Sequence, residues 1–316
     1  MATKPERSVE KLIERFTQMI KNRLIDIKES IDNRDKRGKV FGRTLYVIKS
    51  TATGYEQFVR EHQPYLDGTE KVYTSVKSAV DAAQSNDQII IAPGVYDEGA
   101  EIALDVEGLR IFGSGTTGLM YGPCSMKQSA ANHHIFSIEA NGIEIAGLGF
   151  IVSGAYNAID IDHTAAVYKT HVHDCFFTGT YGIYSGGTFD SVDLIVEDCS
   201  FLSCATAGLY MNGSRNKAVN NTFWVPTSGI GIQYVPTTTN RGFNLIANNL
   251  ICGTGTTDTG IQIDGTPTAG QVMITENKIF KCNTTITAVS SGSGIAMNNY
   301  TGASTGAITV IDTDTD

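Results

Sequence analysis

Charge is scarce in this sequence. Only 18% of residues are Asp, Glu, Lys or Arg, against roughly 25% in an average soluble domain, and tryptophan occurs once. No apolar run approaches the roughly 18–20 residues that cross a bilayer as a helix, so membrane insertion is not expected. The 33 glycines follow no three-residue period, which excludes collagen. Low charge goes with many β-branched residues and a 41% apolar content, which excludes a disordered chain. The first twenty residues lack the continuous apolar stretch and cleavage site of a secretory signal. The expectation is a protein made and kept in a reducing cytoplasm, or assembled there into something larger. Its six cysteines, Cys124, Cys175, Cys199, Cys204, Cys252 and Cys282, are then thiols used as small apolar residues. No CxxC or Cys/His spacing points to zinc, and neither metal nor cofactor is expected. A length of 316 residues allows one large or two medium domains.

What charge there is lies unevenly. Residues 1–43 hold 12 basic and 7 acidic side chains, a net of +5, and the rest carries -14 of the overall -9. Within this basic arm Val9, Ile13, Phe16, Ile20, Leu24, Ile27 and Ile31 recur at steps of 4, 3, 4, 4, 3 and 4, close to a heptad seam. Gly38 is a plausible stop. The pattern predicts a helix that self-associates, as a parallel trimer, or docks on a larger partner; the plainer alternative is a helix folded back on its own domain. The following RDKRGKVFGR, Arg34 to Arg43, is read as a solvated linker. It lacks a nucleic-acid fold signature, and nucleic acid is not expected as a partner.

The remainder repeats. Six segments share the pattern apolar-x-polar-x-x-apolar: Ile145-Gly147-Phe150, Val172-Asp174-Phe177, Val196-Asp198-Phe201, Ala218-Asn220-Phe223, Ile246-Asn248-Ile251 and Ile274-Glu276-Ile279. Their last positions are 27, 24, 22, 28 and 28 residues apart. The residue after the polar position is Leu148, Cys175, Cys199, Asn221, Asn249 or Asn277, with Asn299 as a further copy. A second alternating motif follows each first one: NAIDIDH from Asn157, YGIYSGG from Tyr181, AGLYMNG from Ala207, SGIGIQYV from Ser228 and TGIQIDG from Thr259. This period, with short strands and Gly, Asn or Asp at the bends, suits a parallel β-helix. Equivalent residues would stack about 4.8 Å apart. Asn221, Asn249 and Asn277 then read as a buried ladder that pairs amide with amide, with Cys175 and Cys199 in the same slot. A sandwich would not repeat its turn residues in register, and a propeller blade needs about 40 residues.

Ahead of the repeats, Val72 to Ser85 reads as an amphipathic helix, followed by NDQIIIAPGVYDEG from Asn86 and LRIFGSG from Leu109. This succession resembles the start of the right-handed parallel β-helix domain of the pectate lyase and pectinesterase superfamily, a fold also found in bacteriophage tailspikes, fibres and capsid appendages. The resemblance covers roughly Val72 to Val310 and implies a single-stranded right-handed parallel β-helix, an all-β solenoid, closed at one end by a capping helix. The domain organisation read here is a helical arm over 1–38, a linker over 39–71 and the solenoid over 72–316. About 240 residues at about 25 per coil give roughly 9 coils and 45 Å of length.

The motifs by which enzymes of this superfamily cleave galacturonan, hydrolyse its esters or bind calcium are missing. After Arg110 only Arg215 and Arg241 remain as arginines. The best candidate cluster is Asp160, Asp162 and His163, followed by His171, His173 and Asp174. Asp160 and Asp162 sit two apart on a strand and so share a face, with Tyr184 or Asp190 beside them from a neighbouring coil. Paired carboxylates of that kind suit glycoside hydrolysis; solvent-facing residues of an ordinary strand are the plainer reading. His133-His134, Asp258 and Asp264 read as loop or surface residues. Tyr181, Tyr184, Tyr210 and Tyr234 recur near the second motif and form a candidate ridge for sugar rings, or the cover of a sheet or subunit interface.

A basic helical anchor ahead of a short β-helix matches the layout of phage appendages. The expectation is a virion structural protein, assembled in the host cytoplasm, joined to copies of itself and to other virion proteins through the arm. Its solenoid would meet a cell-surface polysaccharide. The alternative is a polysaccharide lyase or glycoside hydrolase of the same fold. A surface adhesin is a third reading, which the missing export signal disfavours.

Overall fold

The computed structural model describes residues 42–63, 71–114, 124–128, 133–161, 166–186, 191–235, 243–264, 272–288, 294–297 and 299–302. The heptad positions Val9, Ile13, Phe16, Ile20, Leu24, Ile27 and Ile31 lie outside these residues, as do Asp162, His163 and Asp190. The architecture below belongs to the unit Thr44–Asp316.

The chain winds as an all-β parallel solenoid of about 8 turns. Three sheets of parallel strands run along it, of 11, 9 and 10 strands; in the third, eight strands follow one another turn by turn, and the short Val167–Tyr168 and Ser191–Val192 pair off that path. The apolar ends of the first motif supply the core of two sheets. On the first, Ile111, Ile145, Val172, Val196, Ala218, Ile246 and Ile274 succeed one another in register. On the second, Phe150, Phe177, Phe201 and Phe223 form a stack, with ring centroids 5.0, 4.9 and 4.6 Å apart and nearly parallel planes. The second motif builds the third sheet, whose inward column is Ile159, Ile183, Leu209, Ile232, Ile261 and Ile286. All of these are buried.

The polar position of the first motif has a backbone cause. Gly147, Asp174, Asp198, Asn220, Asn248 and Glu276 all take positive φ, between 51° and 69°, the left-handed bend that turns the chain from the first sheet into the second. Gly, Asn and Asp take that conformation at least cost. The next residue points inward. Asn249 Oδ1 accepts from the backbone N and the Nδ2 of Asn221, and Asn277 Oδ1 does the same for Asn249. Each Nδ2 also donates to a carbonyl of a preceding turn, Val196, Ala218 or Ile246. Cys175 and Cys199 occupy this slot in earlier turns and donate their thiols to the His173 and Glu197 carbonyls.

A second ladder, not anticipated from the sequence, lies where the third sheet turns into the first. Asn216 Oδ1 accepts from Leu194 N, Asn244 Oδ1 accepts from Asn216 N, and Asn244 Nδ2 donates to the Tyr234 hydroxyl. Its signal was present: Asn216 and Asn244 are each five residues ahead of a first-ladder asparagine.

The beginning of the solenoid departs from the reading of its sequence. Thr44–Val47, placed in a linker, is a strand of the first sheet, between Val72–Tyr73 and Gln88–Ile91. The nearby helix Tyr55–His62 sets Phe58 and His62 against Tyr46. The helix expected from Val72 to Ser85 is confined to Val76–Asp81, capped by Ser75 Oγ, which accepts from Ser78 N, with Val76, Ala79 and Val80 buried. Val72–Tyr73 pairs as a strand instead, consistent with a β-branched and an aromatic residue at a sheet edge. Among the described residues no helix is long and apolar enough to cross a membrane.

Candidate functional site

Two half-buried clusters stand out, one on the outer face of the third sheet and one on that of the first. On the third sheet, positions adjacent to the inward column point outward. In register along the solenoid they are Asp160, Tyr184, Tyr210, Gln233 and Gln262. Tyr184 and Tyr210 are neighbours with ring centroids 4.7 Å apart, tilted by 32°. Tyr181 lies against both, at 4.9 and 5.9 Å. Burial pushes the Tyr210 phenol up to about 12, aided by Tyr184 and Tyr181. Asp160 Oδ1 accepts from Asn157 Nδ2 at 2.8 Å. Further along, Asp264 holds the two glutamine amides: Gln233 Nε2 donates at 2.5 Å and Gln262 Nε2 at 2.7 Å.

Tyr234 does not belong to this surface. It aligns with Met211, one place beyond Tyr210, so the strand's alternation turns it inward, where it is fully buried with its hydroxyl on Asn244. Gln233 takes the outward place instead. Asp258, read as a surface residue, is also buried. Its carboxylate accepts from the backbone N–H groups of Asn283, Thr254 and Gly255. His134 Nδ1 accepts from Asn157 N at 3.0 Å.

On the first sheet, His171 and His173 point outward from one strand, with rings stacked 4.4 Å apart. Glu144 is the register partner of His171 on one side, and Glu197 that of His173 on the other. His171 Nε2 meets Glu197 Oε1 at 2.8 Å, His173 Nε2 meets Glu144 Oε1 at 3.2 Å, and His173 Nδ1 meets Asp174 Oδ2 at 2.9 Å. Burial pushes the His173 imidazole down, but its hydrogen bonds to Asp174 and Glu144, with the charges of both, outweigh burial and leave it above its ordinary value. Sequence reading found His171, His173 and Asp174 but missed Glu144 and Glu197, which are 29 and 26 residues from their histidine partners. Aligning the repeats would have found them: Glu144 and His171 both precede the first apolar position by one, and His173 and Glu197 both follow it by one.

A parallel solenoid with this register defines a protein of the parallel β-helix superfamily to which pectinesterases belong. Within it the chain belongs to the NosD family, described as periplasmic copper-binding protein, whose profile matches residues 80–310. No curated protein matches the chain in sequence. Among solved structures, a pectin methylesterase from Aspergillus niger is similar at 13% identity and a TM-score of 0.55, over 84% of this chain and 86% of that one. The pectin methylesterase of Erwinia chrysanthemi is similar at 11% identity and 0.51, over 83% and 89%. The rice weevil enzyme is similar at 11% identity and 0.50, over 81% and 96%. Likeness at these identities is likeness of fold.

Proposed function

We propose that this chain is a structural protein of a bacteriophage virion, anchored by its basic N-terminal arm as a homo-oligomer, whose solenoid attaches to a neutral cell-surface polysaccharide. The observation that carries the attachment reading is the third-sheet column, above all Tyr184 beside Tyr210. Aromatic rings in successive turns offer apolar faces at about 4.8 Å steps, and the glutamine and aspartate groups further along offer donors and acceptors for hydroxyls. The net charge of -14 outside the arm disfavours a polyanionic glycan. The virion placement is supported by the heptad arm and by the layout of arm and solenoid.

Among the described residues, the column offers binding groups and no close carboxylate pair. A glycoside hydrolase of the usual kind needs two carboxyl groups about 5–10 Å apart. Asp160 and Asp264 are held four turns apart by the register, roughly 19 Å at the strand spacing. The lyase or hydrolase alternative would show itself as reducing-sugar or unsaturated-product release from the bound polysaccharide. The copper of the family description finds a fitting donor set elsewhere, in the two imidazoles and the carboxylate of the first sheet.

The test is particle association. Antibody against the chain should label purified virions, and deletion of residues 1–38 should abolish both labelling and oligomerisation of the free protein. A truncated protein that still oligomerises and still enters particles would overturn the anchor reading.

A further inference from the structure

We propose that Glu144, His171 and His173 form a binding site for one divalent transition-metal ion, of the copper and zinc kind, on the outer face of the first sheet. The inference is independent of the attachment reading. Among the described residues these three place one ligand atom each within 4.8 Å of one another. Donors on a single ion, at about 2.0–2.2 Å each, stand about 3–4.4 Å apart, and His173 Nε2 and Glu144 Oε1 are already 3.2 Å apart.

The backbone does the placing. His171 and His173 are alternate residues of one strand, so both rings leave the same face, and the stacking of the rings keeps them side by side. Glu144 comes from the adjacent strand in fixed register. Asp174, in the left-handed bend with φ 51°, turns its carboxylate onto His173 Nδ1. His173 lies between two carboxylates, Nδ1 at 2.9 Å from Asp174 Oδ2 and Nε2 at 3.2 Å from Glu144 Oε1. A metal ion held by Nε2 and Glu144 would take the place of the proton between them and leave the contact of Nδ1 with Asp174 intact. A carboxylate behind the far nitrogen of a ligating histidine is also the arrangement that fixes its tautomer and raises its basicity in metal sites. Asp174 is thus a positioning residue, and Glu197, on His171 Nε2, is a third carboxylate able to join or support the site.

The donor set selects the ion. Calcium and magnesium take oxygen ligands, whereas two imidazoles with one carboxylate favour the later first-row ions, copper(II) above zinc. The buried thiols do not compete. Cys175 and Cys199 donate to carbonyls in the core ladder, and burial pushes the Cys199 thiol well above its ordinary value.

Calorimetric titration of the full chain with copper(II), zinc and, as a control, calcium tests this. One equivalent of copper or zinc should bind, copper more tightly, and calcium should not. The copper(II) spin-resonance spectrum should show coupling to two nitrogens. His173→Ala and Glu144→Gln should each weaken binding by about 10-fold or more, and Asp174→Asn by about 10-fold with the two-nitrogen signature retained. All three groups are partly exposed, and the unchanged melting temperature of each variant without metal verifies its fold. The double variant His133→Ala/His134→Ala should bind as the parent does. Undiminished binding in both His173→Ala and Glu144→Gln, or loss confined to the His133/His134 variant, would overturn the proposal.

Discussion

The side-chain carbonyl of Asn249 accepts two hydrogen bonds from Asn221, one from the backbone N at 2.9 Å and one from Nδ2 at 3.1 Å. The two residues are 28 apart in sequence and adjacent in the solenoid, and both are buried. Neither amide could be left alone there, since an unsatisfied buried polar group costs about 1–3 kcal/mol. Asn249→Ala removes the acceptor for Asn221 and the donor to the Ala218 carbonyl together. It should lower unfolding free energy by about 3 kcal/mol, read from the midpoint of urea denaturation at unchanged slope. A change below about 0.5 kcal/mol would mean that the ladder is not a stabilising element.

Backbone crowding beside the phenylalanine stack makes a second prediction. A Cβ on Gly208 would stand 2.6 Å from Phe223 Cδ1 and 2.9 Å from the Gly231 carbonyl oxygen. Phe223 is fixed by its stack on Phe201, so it cannot swing away. Gly208→Ala should destabilise by about 1–3 kcal/mol, whereas alanine at Gly99, where nothing lies within 4 Å, should not.

Much of this architecture was legible in the sequence because each side chain that matters recurs. The apolar triplets, the bend residue and the inward asparagine each obey a separate local rule, and all three agree on one period. Failures came where a rule depends on parity or on a neighbour in another turn. Tyr234 looked equivalent to Tyr210 by type, yet one step along a strand reverses its face. Glu144 and Glu197 carry no local signal, since nothing near either residue in sequence shows that a histidine will lie against it. Thr44–Val47 precedes the first recognisable repeat, and four residues of alternating pattern are too few to identify a strand.

The thiols should be inert in the native state. Five of the six cysteines are buried and Cys252 is intermediate. Burial pushes Cys204 and Cys282 up to about 12, and only the thiolate reacts. A chromogenic disulfide reagent should find at most one rapidly reacting thiol, Cys252, before denaturant and six after it. Several fast thiols in the native protein would contradict the burial of this set.

Acid should weaken the later turns through Asp258. Burial raises its carboxyl, but the N–H groups of Asn283, Thr254 and Gly255 outweigh burial and hold it below the ordinary value of 3.8. A carboxyl depressed on folding contributes stability that is full above its unfolded value and is lost as pH falls through the folded one. Between pH 7 and 5 this contribution should be constant; below about pH 4 the parent should lose stability faster than Asp258→Asn. Parallel acid profiles for the two proteins would remove Asp258 as a source of that dependence.

The most direct test of the attachment account is the affinity of the full chain for neutral host-surface polysaccharide, measured for the parent, for Tyr184→Ala/Tyr210→Ala and for Tyr234→Phe. Loss of the two stacked rings should weaken binding by roughly 10-fold or more, at about 1–3 kcal/mol for aromatic contacts, with the fold unchanged by circular dichroism. Tyr234→Phe, which alters only the core, should bind as the parent does. Equal affinity in the parent and the double tyrosine variant would contradict the account.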